Sequence, residues 1–207
     1  MNRKGIIIVI SGFSGVGKGT IMRELTKKYE QYALSVSATT RNPRPGEVDG
    51  KDYFFVSNEE FEKLINEDGL IEHAGYVGHY YGTPRKFVED KLNNGIDVIL
   101  EIELQGALQI KEQYKDAVML FIMPPSAEEL EKRLTGRGTE KEDVIKQRLL
   151  RANEEAIGIE HYDYIVVNDD LEESVERVHN IIMAAHHTPD RNVEFIDTIR
   201  QQLKNLV

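Results

Sequence analysis

The chain has no cysteine in its 207 residues. Disulfide staples, thiolate nucleophiles and Cys-ligated zinc are therefore excluded. It also lacks basic excess: 26 Lys and Arg stand against 36 Asp and Glu, for a net charge of -10. That balance argues against broad nonspecific nucleic-acid binding, while leaving room for a local basic pocket around a phosphate. No apolar run is long enough to span a bilayer. The N-terminal run Ile6-Ile7-Ile8-Val9-Ile10 is too short, and its flanks do not read as a cleaved signal. A cytoplasmic protein with no membrane partner is expected. The six histidines show no zinc-ligand spacing, and the adjacent His186 and His187 point to different helix faces. They read as structural or surface residues. Repeats, low-complexity tracts and long linkers are missing too, so a single core with small attached lobes is expected.

What is present begins with Gly12-Phe13-Ser14-Gly15-Val16-Gly17-Lys18-Gly19-Thr20. An apolar run precedes it and an amphipathic segment follows, which is the strand–turn–helix context of a phosphate-binding loop. Glycines let successive backbone N–H groups turn inward, the helix N-terminus adds a positive dipole, and Lys18 supplies a mobile charge. The spacing Gly12-x4-Gly17-Lys18 fits, with Gly19 where Ser or Thr usually stands and Thr20 one place later. This Gly-Lys-Gly-Thr form is the one found in kinases of nucleoside monophosphates.

Along the chain, strands are expected at 5–11, 34–37, 52–56, 70–77, 97–103, 117–123 and 164–167. The first helix should run to about Tyr32. Ser57 with Glu60, and Ser126 with Glu129, read as capping boxes, and Thr83-Pro84 as an N-cap followed by proline at the first helical position. Further helices are expected over 105–114, 140–156 and 172–187, with another from about Arg191. The alternation predicts an α/β protein whose parallel sheet is wrapped by helices, with a strand-rich lobe inserted at about 35–94. Ligands collect beyond the carboxyl ends of such strands, which makes Ser11, Glu101, Glu103 and Asn168 site candidates.

Three constellations carry chemistry. Arg41 and Arg44 lie in a turn-rich loop and suit a phosphate dianion, with Ser37, Tyr53 and Tyr81 as neighbouring hydrogen-bonding groups. Glu72 interrupts an apolar strand; it is either an outward-facing acid or an acceptor for the N1–H and N2 amine of guanine. Glu101 and Glu103 alternate along one expected strand and would face the same side, able to orient magnesium-bound water opposite the loop. Arg133, Arg137, Arg148 and Arg151 form a basic cluster interrupted by Gly136-Arg137-Gly138, as the hinge of a lid would be.

In their order, the phosphate loop, Ser35-Val36-Ser37-Ala38-Thr39-Thr40-Arg41-Asn42-Pro43-Arg44-Pro45-Gly46-Glu47, Tyr80-Tyr81-Gly82-Thr83 and Gly136-Arg137-Gly138-Thr139 resemble the guanylate kinases. Asp49 to Phe55 and Val167-Asn168-Asp169 add to the match, which covers about residues 5–187. The resemblance implies a P-loop kinase in three parts: a core (about 1–34, 95–134 and 157–207), a GMP-binding lobe (about 35–94) and a lid (about 135–156). It implies transfer of the ATP γ-phosphate to GMP or dGMP with Mg²⁺. Gly12, Ser14, Gly15, Val16, Gly17, Lys18, Gly19 and Thr20 would hold ATP phosphates, joined by Arg133 and Arg137, with Asn168 near adenine. Ser37, Glu72 and Thr83 would read guanine. Arg41, Arg44, Tyr53 and Tyr81 would hold the GMP phosphate, with Glu101 and Glu103 beside the acceptor. Lys18, Arg41, Arg137 and Arg148 would be catalytic, and Thr20 would sit near the metal with Glu101 behind its waters. Phe13, His79 and Glu103 depart from the residues common in the family; Glu103 reaches about 1.5 Å further than the usual aspartate. Two other readings stand beside this one. A noncatalytic interaction module would normally have a damaged loop or lid, and a kinase for another phosphorylated small molecule would not need Ser37, Glu72 and Thr83.

Overall fold

In the computed structural model, which describes residues 4–76, 78–136 and 142–206, the apolar run at the N-terminus becomes β1 (Ile7–Gly12) at the centre of a five-stranded sheet. The other strands are β2 (Tyr32–Leu34), β7 (Asp97–Glu101), β8 (Val118–Met123) and β9 (Tyr164–Val167). Their order is β2-β7-β1-β8-β9, and every pair is parallel. A central parallel strand is covered on both faces, so it can be apolar throughout. Ile8 and Ile10 point to one side, against Ile21, Met22 and Leu25 of α1 (Lys18–Lys28), Leu130 and Leu134 of α5 (Ala127–Thr135), and Val175, Val178 and Ile182 of α7 (Leu171–Ala185). Ile7 and Val9 point to the other, against Val88 and Leu92 of α3 (Arg85–Asn93) and Ala107 and Ile110 of α4 (Leu104–Gln113).

The inserted lobe is a second sheet, ordered β4-β3-β6-β5, from β3 (Ala38–Thr39), β4 (Phe54–Phe55), β5 (Leu70–Tyr76) and β6 (His79–Pro84). Helix α2 (Asn58–Asn66) packs Phe61 against Ala38 and Leu70, and both halves of its Ser57–Glu60 capping box form. β5 is an edge strand whose backbone needs partners. Side chains of α4 supply them: Gln109 accepts from His73 N–H (3.1 Å) and donates to its carbonyl (2.8 Å), and Gln113 donates to the Ile71 carbonyl (2.9 Å). The core thereby fixes the strand that carries Glu72.

Several expected boundaries move. Helix α1 stops at Lys28 instead of near Tyr32, because Tyr29 turns extended and stacks on His179 of α7 at 3.8 Å, while the Tyr32 hydroxyl bonds the same ring at 2.7 Å. The next strand accordingly starts at Tyr32 and ends at Leu34, three residues short of Ser37. The strand expected over 52–56 narrows to Phe54–Phe55. Thr83 is not a helix cap: it pairs with Glu72 across β5 and β6, and Pro84 occupies the cap of α3. Glu103 is not on a strand with Glu101; β7 ends at Glu101, and Glu103 is the N-cap residue of α4. Ser126 accepts from Glu129 N–H as expected, but the Glu129 carboxylate turns to Arg133 (2.9 Å), leaving the box half-made. Helix α6 (Glu142–Ala156) follows the expected hinge, and Arg137 lies outside the described residues. The tail forms α8 (Val193–Lys204).

Candidate active site

The phosphate-binding loop runs from the carboxyl end of β1 into α1. Gly15 (φ 88°) and Gly17 (φ 98°) hold left-handed conformations that side chains resist. At Gly17 space is limiting as well: a β-carbon there would lie 2.6 Å from the Asn168 amide nitrogen. That amide donates to the Val16 carbonyl at 2.7 Å. Arg133 donates in turn to the Asn168 carbonyl at 2.9 Å and to Glu129. Asn168 and Arg133 thus brace the loop from β9 and α5. A β-carbon at Gly19 would touch nothing within 4 Å, so the protein's own atoms do not demand glycine there. Thr20 sits in the first turn of α1, its N–H on the Gly17 carbonyl. The Lys18 ammonium donates to the Gly12 carbonyl (2.7 Å).

Between this loop and the small sheet opens a cleft of about 830 Å³. Ser14 and Lys18 line one side, Ser37, Arg41, Arg44, Tyr53, Glu72 and Tyr81 the other, and Glu101 and Glu103 the floor. The structure therefore brings the expected acceptor residues to the lysine of the loop. Arg41 lies 5.2 Å from the centre of the Tyr53 ring and 5.7 Å from that of Phe55, and Tyr53 packs edge-on to Tyr81. Both arms of its guanidinium fork are met at 2.9 Å by the two oxygens of Glu47, which also accepts from Arg44 N–H at 2.7 Å. The Arg41 pair holds the Glu47 carboxyl below its ordinary range, and Glu47 raises Arg41. Glu47, quoted in the sequence within a motif and given no role there, contacts Arg41 and Arg44 of the cleft wall. Its position three residues after Arg44 in the same tight loop was the available signal.

Glu72 is 5% exposed, and its carboxylate accepts from the Thr83 hydroxyl at 2.6 Å. Burial pushes its carboxyl up to about 6, against the lowering effect of the Thr83 hydrogen bonds. Thr83 is fully buried behind it. The other oxygen approaches Gly106 of α4 so closely that a β-carbon there would lie 2.4 Å away. Gly106 was missed, although an isolated glycine in a helical pattern is itself a signal of close approach.

Glu101 stands in the cleft where water still reaches it, yet the enclosing walls raise its carboxyl, with the Lys18 charge opposing. Glu103 turns from the acceptor side to Arg151 of α6, at 2.7 Å; Arg151 also meets Glu155 at 3.0 Å. Among the described members of the lid-arginine group, Arg151 lines the cleft. Arg148 lies one turn earlier on the same helix, half-buried.

A glycine-rich loop with its lysine facing two arginines and two tyrosines across one cleft suits a P-loop kinase whose acceptor carries its own phosphate. Comparison with known proteins is specific. The family model for guanylate kinase matches residues 4–185. The guanylate kinase of Streptococcus thermophilus (strain CNRZ 1066) is 54% identical over 192 residues, 92% of each chain. That of Caldanaerobacter subterraneus subsp. tengcongensis is 49% identical over 202 residues, 98% of each. The crystal structure of guanylate kinase from Anaplasma phagocytophilum superposes with a TM-score of 0.75 at 39% identity, covering 91% of this chain and 90% of that one. The chain belongs to the guanylate kinase family.

Proposed function

We propose that this guanylate kinase moves the γ-phosphoryl group of ATP to GMP by direct in-line transfer across the cleft, with the roles divided as follows. Gly12 to Thr20 hold the ATP phosphates through backbone N–H groups and Lys18, on a loop kept rigid by Asn168 and Arg133. Arg41, Arg44, Tyr53 and Tyr81 grip the acceptor phosphate. Ser37 and Glu72 read the guanine edge, with Thr83 and Gly106 setting the Glu72 carboxylate. Arg137 and Arg148 belong to a lid of about residues 135–156 closing over the transferring group. The observation that carries this reading is the buried Glu72 facing the cleft: an acceptor-only carboxylate matches the N1–H and N2 amine of guanine, whereas adenine has no such donor pair.

No side chain need act as a nucleophile, because phosphoryl transfer is achieved by positioning and charge stabilisation. Mg²⁺ would neutralise charge between the donor phosphates. The donors present fit it: a Thr20 hydroxyl in the first turn after the loop, and a Glu101 carboxylate in the cleft within the field of Lys18. Both ATP and GMP are thus substrates of one cleft, and dGMP is accepted because no reading group named here requires the 2′-hydroxyl. No described helix is long and apolar enough to cross a membrane, and we place the enzyme in the cytoplasm, without nucleic-acid or membrane partners.

The test is coupled ADP release with Mg-ATP and GMP, dGMP, AMP, CMP or UMP offered in parallel. Turnover confined to the guanine nucleotides is expected. Turnover with another base at a similar kcat/KM would leave a kinase without the proposed base pocket.

A further inference from the structure

The strand that carries Glu72 is joined to the core by side chains, not by another strand. β5 is the edge of the small sheet. Its pairing with β6 jumps from Leu70–Pro84 to Glu72–Thr83, so Ile71 is bulged out of register, and Pro84 has no N–H to offer. The backbone groups on the open edge are met by helices. Arg85 of α3 donates to the Leu70 carbonyl at 3.0 Å, and Gln113 of α4 to the Ile71 carbonyl at 2.9 Å. The Gln109 amide accepts from the His73 N–H and donates to its carbonyl, as the opposite residue of an antiparallel strand would. The rise of the two elements makes this possible: four residues of helix advance about 6 Å, and two residues of strand about 6.7 Å.

The glutamine bonds fall on the residues immediately before and after Glu72. Gly106, Gln109 and Gln113 lie on one stripe of α4, and Gly106 is the residue against the Glu72 carboxylate. The adjoining stripe, Ala107 and Ile110, is buried in the same apolar cluster as Ile71. A recess of about 240 Å³ lies beside the seam, and its lining includes Ile71, Glu72, His73, Gln109 and Gln113. Close packing therefore does not clamp the strand on that side, and the amide bonds do.

We propose that Gln109, with Gln113, is a positioning residue for base selection, fixing the peptide groups on either side of Glu72 so that its carboxylate meets guanine. This role rests on the reading of Glu72 as the guanine acceptor. It makes base selectivity depend on a helix of the core, outside the lobe that grips GMP. Neither glutamine lines the cleft, so the effect is carried by the strand. A site built to hydrogen-bond an amine rejects the analogue that lacks it, because the acceptor is then left unpaired. Loosened aim of Glu72 therefore shows as lost discrimination between GMP and IMP, whose base keeps N1–H and lacks the N2 amine.

The experiment measures kcat/KM for GMP and for IMP on the same preparations of the full chain: parent, Gln109→Leu, Glu72→Gln and the double variant. The ratio of the two does not depend on the active fraction, so partial misfolding leaves it unmoved. Gln109→Leu should lower the preference for GMP over IMP about tenfold, the effect of weakening one hydrogen bond to a charged group, with KM for ATP within about twofold. In the Glu72→Gln background the same substitution should change the ratio by less than about twofold, because it acts through the carboxylate. Gln113→Leu removes a single bond and should give a smaller fall in the same direction, which carries the test if Gln109→Leu does not fold. An unchanged ratio in the folded variants, or an equal fall in both backgrounds, would overturn the positioning role and leave Glu72 as the base acceptor. A parent with no preference for GMP over IMP would overturn the base reading and this role together.

Discussion

Replacing Glu72 with Gln changes one oxygen to an amide nitrogen with almost no change in size. The Thr83 hydroxyl keeps an acceptor, so the strand pair β5–β6 survives. What is lost is a charged acceptor facing guanine. A hydrogen bond to a charged group is worth about 1.5–3 kcal/mol, so kcat/KM for GMP should fall roughly 10- to 150-fold, with KM for ATP within about twofold. The same substitution should stabilise the free protein. The folded carboxyl sits at about 6 against an ordinary 4.5, a difference equivalent to about 2 kcal/mol. The sign follows from linkage: a buried acid with a raised pKa favours the protonated folded state, so its penalty is absent below about pH 4.5 and develops as pH rises through 6. Glu72→Gln should therefore raise Tm at pH 8 and have little effect at pH 4.5. The parent should lose GMP efficiency as pH drops below about 6, and the variant should not show that limb. Steady-state kinetics with each substrate varied, plus thermal melts at the two pH values, measure all of this. Equal loss toward GMP and ATP would refute the assignment of Glu72 to the base, and a lower Tm at pH 8 would refute the burial penalty on its carboxylate.

Gly106→Ala should displace the same carboxylate, since the added carbon meets it at 2.4 Å; KM for GMP should rise about tenfold, the cost of weakening one such bond, and an unchanged KM would separate Gly106 from the base pocket. Lys18→Ala should lower kcat by about 10²-fold or more with the fold intact by circular dichroism; unchanged turnover would rule out its phosphate role. Arg41→Lys keeps the charge and loses the two-armed fork, so KM for GMP should rise at least about tenfold while KM for ATP holds. Equal effects on both substrates would place Arg41 outside the acceptor grip.

Much of the molecule was legible from local pattern. The central strand, the glycine-rich turn and α1 follow from an apolar run, glycine spacing and helical periodicity, all of which act over a few residues. The Ser57–Glu60 box closes as read over its three-residue span, whereas at the same spacing the Glu129 carboxylate is drawn from Ser126 to Arg133. Thr83 shows where local reading stops. Thr-Pro ahead of a helical segment is a sound cap signal, but a buried carboxylate eleven residues earlier needed a donor, and that demand drew Thr83 into β6. Glu103 reads as the next alternate residue of a strand, yet α4 begins just after it and the side chain serves Arg151, 48 positions later. Tyr29 ends α1 early because its ring has a partner on α7.

The sequence alone determined the phosphate loop, the alternating α/β layout and the chemical kinds of residue available for an acceptor phosphate and base. These depend on short-range geometry and side-chain chemistry. Only the tertiary structure decided which groups meet: Glu47 on the Arg41 fork, Gly106 against Glu72, and Asn168 with Arg133 behind the loop. Those contacts are set by how strands and helices far apart in the chain pack together, and packing is a property of the whole core.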